Sequence, residues 1–226
     1  GLIAGVAFAI KSLNPHVKVY GVQACGAASM VNALQKHQKE TLSQVSTIAD
    51  GIAVKTPGDL TYELCEKYVD EIVTVTDDEI STAILTLIEQ QKLIAEGAGA
   101  VSVAAVLFNK IPVEGRNVVC LVSGGNIDVT ILSRVISRGL LKAGRSADIT
   151  IELADKPGQL SGVSEIIARE GGNVVSVYHD RADLDTDINA CYLRLVLETR
   201  DHAHVEQIKK ALVDAGYTLI VKERTY

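Results

Sequence analysis

The sequence predicts two folded parts, an α/β part followed by an α+β part. Its 226 residues suit one large or two modest domains. In the first part short apolar runs alternate with helical patterns, which is typical of parallel βα units. In the second part the patterns follow the order βαββαβ, which predicts a four-stranded antiparallel sheet with two helices on one face, a ferredoxin-like arrangement.

The strands predicted in the first part are short apolar runs that would be buried on both faces. The Thr56-Pro57 pair predicts a helix start with a cap and a proline at the first helical position, and Thr76-Asp-Asp-Glu79 predicts a capping box. Residues 97–109 are apolar nearly all round and predict a buried helix. The three predicted strands are Val17–Val22, Glu71–Val75 and Asn117–Val122.

Residues 139–147 carry two glycines and small polar residues directly after a helical pattern, which predicts a boundary turn near 143–147. We therefore expect one domain over residues 1–145 and a second over 146–226. The second domain should contain strands and helices in the order Asp148–Ala154, Gln159–Arg169, Asn173–His179, Ala190–Thr199, Ala203–Ala215 and Tyr217–Arg224. Residues 180–187, rich in aspartate, predict a solvated hairpin turn because they lack the ligand spacing of a calcium loop.

Charge and hydropathy exclude several classes of partner. A formal charge of −6 argues against a nucleic-acid partner. The longest apolar run, Gly1–Ile10, is shorter than the roughly 18 residues of a membrane helix and lacks the basic start of a signal peptide. We expect a cytoplasmic protein with no membrane partner. The first residue is not Met, and the opening reads like the middle of a domain, so we expect a fragment of a longer protein.

The sequence predicts no metal site. The four cysteines, which we expect to be reduced core thiols, contain no close pair. His202 and His204 lie two positions apart on a predicted helix, so they should point to different faces and be solvated. The cysteines are Cys25, Cys65, Cys120 and Cys191.

Ser123-Gly-Gly-Asn126 follows a predicted strand and precedes a helical pattern. Ligands of open α/β sheets collect at the carboxyl ends of strands, and paired glycines let the backbone approach a bound group. Ser123 would supply a polar contact there. A plain capped turn explains the same residues equally well.

Two further segments are candidates for ligand contacts. Gly1-Leu-Ile-Ala-Gly5 precedes a helical pattern, where backbone N–H groups bind anions. Glu96-Gly-Ala-Gly-Ala100 places a carboxylate beside small residues at the start of the predicted buried helix. Taken singly, the first is better explained as an ordinary helix start, because only one glycine precedes the helix, and the second is also explained by a flexible break between helices.

Together and in this order, the three segments resemble the second half of the fold-type II pyridoxal-phosphate (PLP) enzymes, most closely the threonine dehydratases (threonine ammonia-lyases) of the catabolic and biosynthetic types. The first resembles the end of the family's phosphate loop, the second its acidic active-site segment and the third its pyridine-side turn. The resemblance implies a partial three-layer parallel-sheet catalytic domain. It implies cofactor contacts from Gly1, Leu2, Glu96, Ser123, Gly124 and Asn126.

Residues 148–226 resemble an ACT regulatory domain, and Asp155-Lys-Pro-Gly-Gln-Leu160 is similar to its first-loop signature. ACT domains pair and bind amino acids, so the resemblance implies a homodimer or homotetramer with an effector site. An ACT-bearing nicotinamide enzyme is a rival, but the chain has no G-x-G-x-x-G run. The implied effector-binding residues are Asp155, Gly158, Gln159, Leu160 and Asn173.

The resemblance implies a parent enzyme that converts L-threonine to 2-oxobutanoate and ammonia, in isoleucine biosynthesis or threonine catabolism, under allosteric control. The family's Schiff-base lysine precedes the phosphate loop, and no lysine of this chain has a similar context. The chain alone is therefore expected to bind no PLP and to be inactive. Serine racemases carry carboxylate metal ligands where this chain has Gln23 and Ser29, which predicts no metal in that loop.

Two alternatives stay open from the sequence. One is another β-eliminase of the same fold, a serine dehydratase or racemase. The other is a stand-alone amino-acid-binding ACT module in which the first 145 residues are a scaffold.

Overall fold

The computed structural model describes residues 1–181 and 189–220, and the chain divides into two compact units, Gly1–Val135 and Ile136–Tyr226. The division falls inside helix α6 (Val129–Lys142), earlier than the boundary predicted near residue 145. Val135 on this helix is buried in the core of the first unit. The glycine-containing turn after α6 belongs to the second of these units.

The first unit contains a two-stranded parallel sheet, β1 (Tyr20–Ala24) beside β2 (Glu71–Val75), with Val22 opposite Val73. Strand β2 has the predicted bounds, whereas β1 begins three residues later than predicted. The helices are α1 (Leu2–Leu13), α2 (Ser29–Lys36), α3 (Asp59–Tyr68), α4 (Asp77–Thr86), α5 (Gly97–Leu107) and the first part of α6.

The strand predicted over Asn117–Val122 is wrong for the residues that the structure describes, because no ladder includes this segment. It lies instead against α5, where the Ser102 hydroxyl donates to the Leu121 carbonyl at 2.9 Å. Val119 is 93% exposed, so the run is not buried on both faces. An apolar run predicts burial, but a strand also needs a neighbouring strand for its backbone groups.

The predicted capping box of α4 is confirmed. The Thr76 hydroxyl accepts from the Glu79 N–H at 3.2 Å, and the Glu79 carboxylate accepts from the Thr76 N–H at 2.8 Å. The predicted start at Thr56-Pro57 is wrong, because α3 begins at Asp59 with Gly58 as its N-cap. Thr56 is instead used in a hydroxyl contact of 2.8 Å with Thr41.

Helix α5 is confirmed as the buried helix of the first unit. Ala100, Ala104 and Ala105 have no exposed surface, and they join the same core as Val75 of β2. Small side chains let the neighbouring elements approach this helix closely, and α4 packs along it.

The second unit confirms the predicted βαββαβ order. The elements are β3 (Ser146–Ala154), α7 (Gln159–Arg169), β4 (Asn173–Asp180), β5 (Ala190–Glu198), α8 (His202–Asp214) and β6 (Thr218–Ile220). The strands form one antiparallel sheet in the order β4-β5-β3-β6, and the predicted bounds of α7 are those observed. Of the last predicted strand the structure describes only residues up to 220, and residues 182–187 of the predicted acidic turn lie outside the described ranges.

The core of the second unit lies between the sheet and its two helices. Ile151 and Leu193 contribute from paired positions of β3 and β5, while Ile167 and Ile208 contribute from α7 and α8. All four side chains are fully buried. Alternate residues of each strand face the helices, as the period of two requires.

His204 is not solvated, contrary to the prediction. It is 2% exposed, its Nδ1 accepts from the Arg200 N–H at 3.1 Å, and its Nε2 lies 2.9 Å from the Glu170 carbonyl. A neutral ring with the proton on Nε2 satisfies both contacts, so the side chain ties α8 to the end of α7. Cys25 is likewise exposed rather than a core thiol, while Cys65 and Cys191 are buried.

Across the described ranges, the helices are all too short or too polar to cross a membrane.

Candidate cofactor and effector sites

Glu96 is the N-cap residue of α5 and contacts the predicted glycine turn twice. Its N–H donates to the Gly124 carbonyl at 3.0 Å, and its carboxylate accepts from the Asn126 N–H at 3.2 Å. The structure therefore brings Glu96 together with two residues that lie about thirty positions later in the sequence. Ser123 is exposed beside them.

Glycines allow this close approach. A β-carbon on Gly99 would lie 2.6 Å from the Gly124 carbonyl oxygen, and one on Gly97 would lie 2.8 Å from the Ile48 carbonyl oxygen. Such distances are too short for any side chain. The glycines of the Glu96-Gly-Ala-Gly segment are therefore needed for packing against both neighbouring segments.

Residues 47–51 form another wall around Glu96. The Thr47 hydroxyl donates to the Asp77 carboxylate at 2.6 Å, and the Ile48 N–H donates to the same carboxylate at 3.2 Å. A β-carbon on Gly51 would lie 3.5 Å from the Glu96 carboxylate. The sequence did not predict that the Asp77 carboxylate binds Thr47 and Ile48. The capping pattern explains only why an aspartate stands in the first turn of α4.

Gly1 and Leu2 lie at the start of α1, where Gly1 is the N-cap. No side chain caps this end, its first turn has no acidic residue, and a β-carbon on Gly1 would meet nothing within 4 Å. The backbone N–H groups of the first turn are thus open to an anion. The two hydrogen bonds between Glu96 and the glycine turn do not involve Gly1 or Leu2.

The loop in which no metal was predicted is held by the Gln23 amide. Its nitrogen donates to the Ala27 carbonyl at 3.2 Å, and its oxygen accepts from the Val31 N–H at 2.9 Å. A glutamate carboxylate at this position would accept but not donate, so it could not make both contacts, whereas the glutamine amide makes both. The absence of a metal here stays a prediction.

The second unit has a cavity of about 390 Å³ at the loop that joins β3 to α7. Four predicted effector residues line it: Asp155, Gly158, Gln159 and Leu160. Gly158 caps α7 in the left-handed region, with φ of +90°. His179, Arg181 and Cys191 also line the cavity but were not predicted, because they come from the end of β4 and the start of β5, which are distant in sequence from the loop.

Asn173 lies at the other end of the sheet. It pairs with Glu198 at the start of β4 and donates to the Glu198 carboxylate at 2.8 Å. Glu198 also pairs with Ser146 at the start of β3, whereas Asp155 follows the end of β3. Within one chain, Asn173 is therefore not part of the wall of this cavity.

A family model described as pyridoxal-phosphate dependent enzyme matches residues 1–124. The chain is 51% identical over 217 residues to an L-threonine ammonia-lyase of Thermotoga maritima, covering 96% of this chain and 54% of that protein. It is 41% identical over 221 residues to an L-threonine ammonia-lyase of Geobacter sulfurreducens, covering 98% and 55%. The chain thus spans about half the length of these curated relatives.

Solved structures with a similar fold also match part of the chain. The processed form of threonine deaminase isoform 2 from Solanum lycopersicum matches with a TM-score of 0.55 and 38% identity, covering 60% of this chain and 40% of that one. Maize serine racemase matches with a TM-score of 0.54 and 32% identity, covering 62% and 44%.

Proposed function

The chain belongs to the family of pyridoxal-phosphate dependent enzymes, and from this premise we propose that residues 1–145 are part of the catalytic domain of an L-threonine ammonia-lyase. The reaction is the conversion of L-threonine to 2-oxobutanoate and ammonia. The contact of Glu96 with Gly124 and Asn126 carries this proposal, because it joins the acidic segment to the pyridine-side turn.

The described residues fit PLP. The uncapped start of α1 offers backbone N–H groups to the cofactor phosphate at Gly1 and Leu2. The Ser123 hydroxyl suits a pyridine nitrogen, which accepts a hydrogen bond. When bound, PLP supplies the electron sink that weakens the bonds at the α-carbon of an amino acid.

Ser123 would determine whether the pyridine nitrogen of the cofactor carries a proton. A neutral hydroxyl donates its hydrogen to the ring nitrogen but does not hold that nitrogen protonated, as a carboxylate does. A neutral Ser123 hydroxyl at that nitrogen would therefore favour rapid elimination of the β-hydroxyl over side reactions such as transamination. The Glu96 carboxylate accepts from the Asn126 N–H and so holds the turn that carries Ser123, which gives it a positioning role.

The test uses the full-length protein that contains this chain. With PLP and L-threonine, wild type should release 2-oxobutanoate. Ser123→Ala should lower kcat more than about tenfold by removing the ring contact, and Ser123→Asp should raise the share of transamination. Ser133→Ala, at an exposed position of α6, is the matched control. Full activity in Ser123→Ala, with an unchanged side-reaction ratio, would contradict the assignment.

Serine chemistry is the alternative within the family, since a serine racemase has a similar fold. Chiral chromatography of the full-length reaction with L-serine separates the possibilities. D-serine as the main product would replace the threonine proposal with a racemase, whereas pyruvate at a rate above that of 2-oxobutanoate would replace it with a serine dehydratase.

We propose that none of the lysines in this chain forms the Schiff base with the cofactor. Added PLP should then give the 226-residue chain no lysine-dependent imine absorbance and no turnover, while the full-length protein shows both. A stable imine band with the chain alone, lost on changing one of its lysines, would overturn this part of the proposal.

We further propose that residues 146–226 are an ACT-type regulatory unit that binds a small amino acid. Support comes from the sheet order β4-β5-β3-β6 and from the cavity beside Asp155, Gly158, Gln159 and Leu160. Calorimetry of the 226-residue chain with isoleucine, valine, serine and a nucleotide should give heat with one amino acid only. Leu160→Ala should weaken that binding; equal affinity in the variant, or no amino-acid binding at all, would contradict the site.

Pairing of the chain is also proposed. In the described sheet β4 is at one edge and exposes apolar side chains, with Val175 at 57% and Tyr178 at 64%. An exposed apolar edge is a ready pairing surface. Sedimentation should show a dimer or tetramer that Val175→Lys dissociates, and a wild-type monomer at micromolar concentration would refute the pairing.

A further inference from the structure

Three side chains of different chemistry converge at the cavity of the second unit. The Cys191 sulfur lies 2.9 Å from the His179 Nε2, and this nitrogen lies 4.0 Å from a carboxylate oxygen of Asp155. All three potential ligand atoms lie within 4.8 Å of one another. Cys191 is buried, whereas His179 and Asp155 are exposed.

The sheet register produces this convergence. Cys191 pairs with Leu153 near the end of β3, and Asp155 follows that strand directly. His179 pairs with Leu193, so it is the diagonal neighbour of Cys191 on the same face. The backbone of Asp155 is fixed in this place because its N–H donates to the Asn189 carbonyl at 2.9 Å.

We propose that Asp155, His179 and Cys191 bind a divalent transition-metal cation, with Zn²⁺ as the best match. Thiolate, imidazole and carboxylate are the three ligand types of zinc sites, and a combined sulfur, nitrogen and oxygen set excludes Mg²⁺ and Ca²⁺ as preferred ions. The three residues take no part in the catalytic chemistry proposed above, so metal binding can be tested without threonine turnover.

The distances fit with small side-chain movements. Zinc bonds of about 2.0–2.3 Å in a tetrahedral arrangement place ligand atoms roughly 3.3–3.8 Å apart. To reach this range, the Cys191 sulfur and the His179 Nε2 must move slightly apart from their 2.9 Å separation. The Asp155 carboxylate must move closer to the His179 Nε2, which now lies 4.0 Å away. His179 and Asp155 are exposed, which leaves room for their side chains to move, whereas Cys191 is buried and held by packing.

The charges around the cluster set the conditions for binding. Burial and the nearby Asp155 carboxylate raise the pKa of the Cys191 thiol, and Arg181 opposes this rise. The thiol is therefore protonated before a cation binds, and its proton leaves to solvent as the metal–sulfur bond forms. Arg181 donates to Asp155 at 3.0 Å and competes with the cation for that carboxylate.

The fourth position of a tetrahedral ion is left to water or to a small ligand. Because the cluster lines the 390 Å³ cavity, this position opens into the space proposed for the effector. A zinc ion with three protein ligands and an open site binds exchangeable groups readily. The metal would then contact whatever occupies the cavity.

The test uses the metal-free 226-residue chain with Co²⁺ as a spectroscopic probe and Zn²⁺ as a competitor. Wild type should bind one Co²⁺ per chain with a sulfur-to-cobalt charge-transfer band, and Zn²⁺ should displace it. Cys191→Ser should abolish the band, and His179→Gln and Asp155→Asn should each weaken Zn²⁺ binding more than about tenfold. Cys25→Ser and His16→Gln, at exposed positions, are the matched controls and should bind as wild type does.

Far-ultraviolet circular dichroism of every variant separates lost binding from lost folding. For the unchanged chain, X-ray absorption of the Zn²⁺-loaded form should show one sulfur and at least one imidazole ligand. A wild-type spectrum without sulfur overturns the proposal, as does a charge-transfer band that persists in folded Cys191→Ser.

Discussion

The carboxylate of Glu96 fills the space that a β-carbon on Gly124 would need. Gly124→Ala should therefore push the Glu96 carboxylate away from the Asn126 N–H and lower the free energy of unfolding by about 1 kcal/mol, the usual contribution of one hydrogen bond, because the displaced atoms are the movable end of a side chain. Thermal unfolding of the chain measures this. Gly5→Ala is the control, because its β-carbon meets nothing within 4 Å and alanine favours the α1 helix. If Gly124→Ala were as stable as wild type, the Glu96 carboxylate would not lie close to Gly124.

Asp70 links α1 to the start of β1. Its carboxylate accepts from Lys11 at 2.7 Å, from Lys18 at 2.9 Å and from the Val19 N–H at 2.8 Å. Burial acts to raise the pKa of this carboxyl, but the hydrogen bonds from Lys11, Val19 and Lys18 outweigh it and hold the pKa well below its usual value.

Asp70→Asn should accordingly destabilise the chain at neutral pH by about 1–3 kcal/mol. A lowered folded-state pKa stabilises above the unfolded value of about 3.9, and this contribution is lost as the pH falls through the lower folded-state pKa. The stability difference between variant and wild type should therefore shrink below about pH 4. Urea unfolding from pH 7 to pH 2 measures this stability difference.

The control is Glu40→Gln, which breaks the exposed ion pair with Lys36 and should cost under about 1 kcal/mol. A stability difference for Asp70→Asn that does not change with pH would refute the link between the Asp70 pKa and stability.

The capping box of α4 gives a third prediction. Thr76→Ala removes the acceptor for the Glu79 N–H and should cost about 1 kcal/mol. Thr82→Ala in the same helix removes only a hydroxyl contact with the Asp78 carbonyl and should change stability by less than about half as much. Both are read from thermal unfolding, and the reverse ranking would disprove the role of the cap.

Gly158 gives a fourth prediction, which concerns conformation alone. Its φ of +90° disfavours an L-residue, while a β-carbon there would meet nothing within 4 Å. Gly158→Ala should cost about 1–2 kcal/mol. Gly158→Asn should cost less, because asparagine tolerates the left-handed region better. If unfolding measurements showed Gly158→Asn to be less stable than Gly158→Ala, side-chain contacts rather than the backbone conformation would determine which residue position 158 tolerates.

Local patterns predicted the elements that depend on local physics. Helix α7 and the capping box at Thr76 were predictable, because the spacing of apolar residues and helix capping both act within a few residues of the chain. The strand predicted over Asn117–Val122 failed because pairing depends on a neighbouring strand, which no local pattern specifies. His204 was misjudged for the same reason, since its partner Glu170 is 34 positions away.

The candidate cofactor site was predictable as separate pieces but not as an assembly. The motifs at Glu96 and Ser123 were visible in the sequence, whereas the hydrogen bond from Asn126 to Glu96 exists only after folding. The wall at residues 47–51 depends on Asp77, whose carboxylate faces that segment from another helix.

By itself the sequence determined the βαββαβ order of the second unit, the capping box of α4 and the resemblance of each part to a family, because these depend on neighbours along the chain. It predicted no metal site, since no two of the candidate ligands lie close together in sequence. Only the tertiary structure decided that Asp155, His179 and Cys191 meet at one cavity. The physical reason is strand register, which places residues of three separate segments on one face at the same end of a sheet.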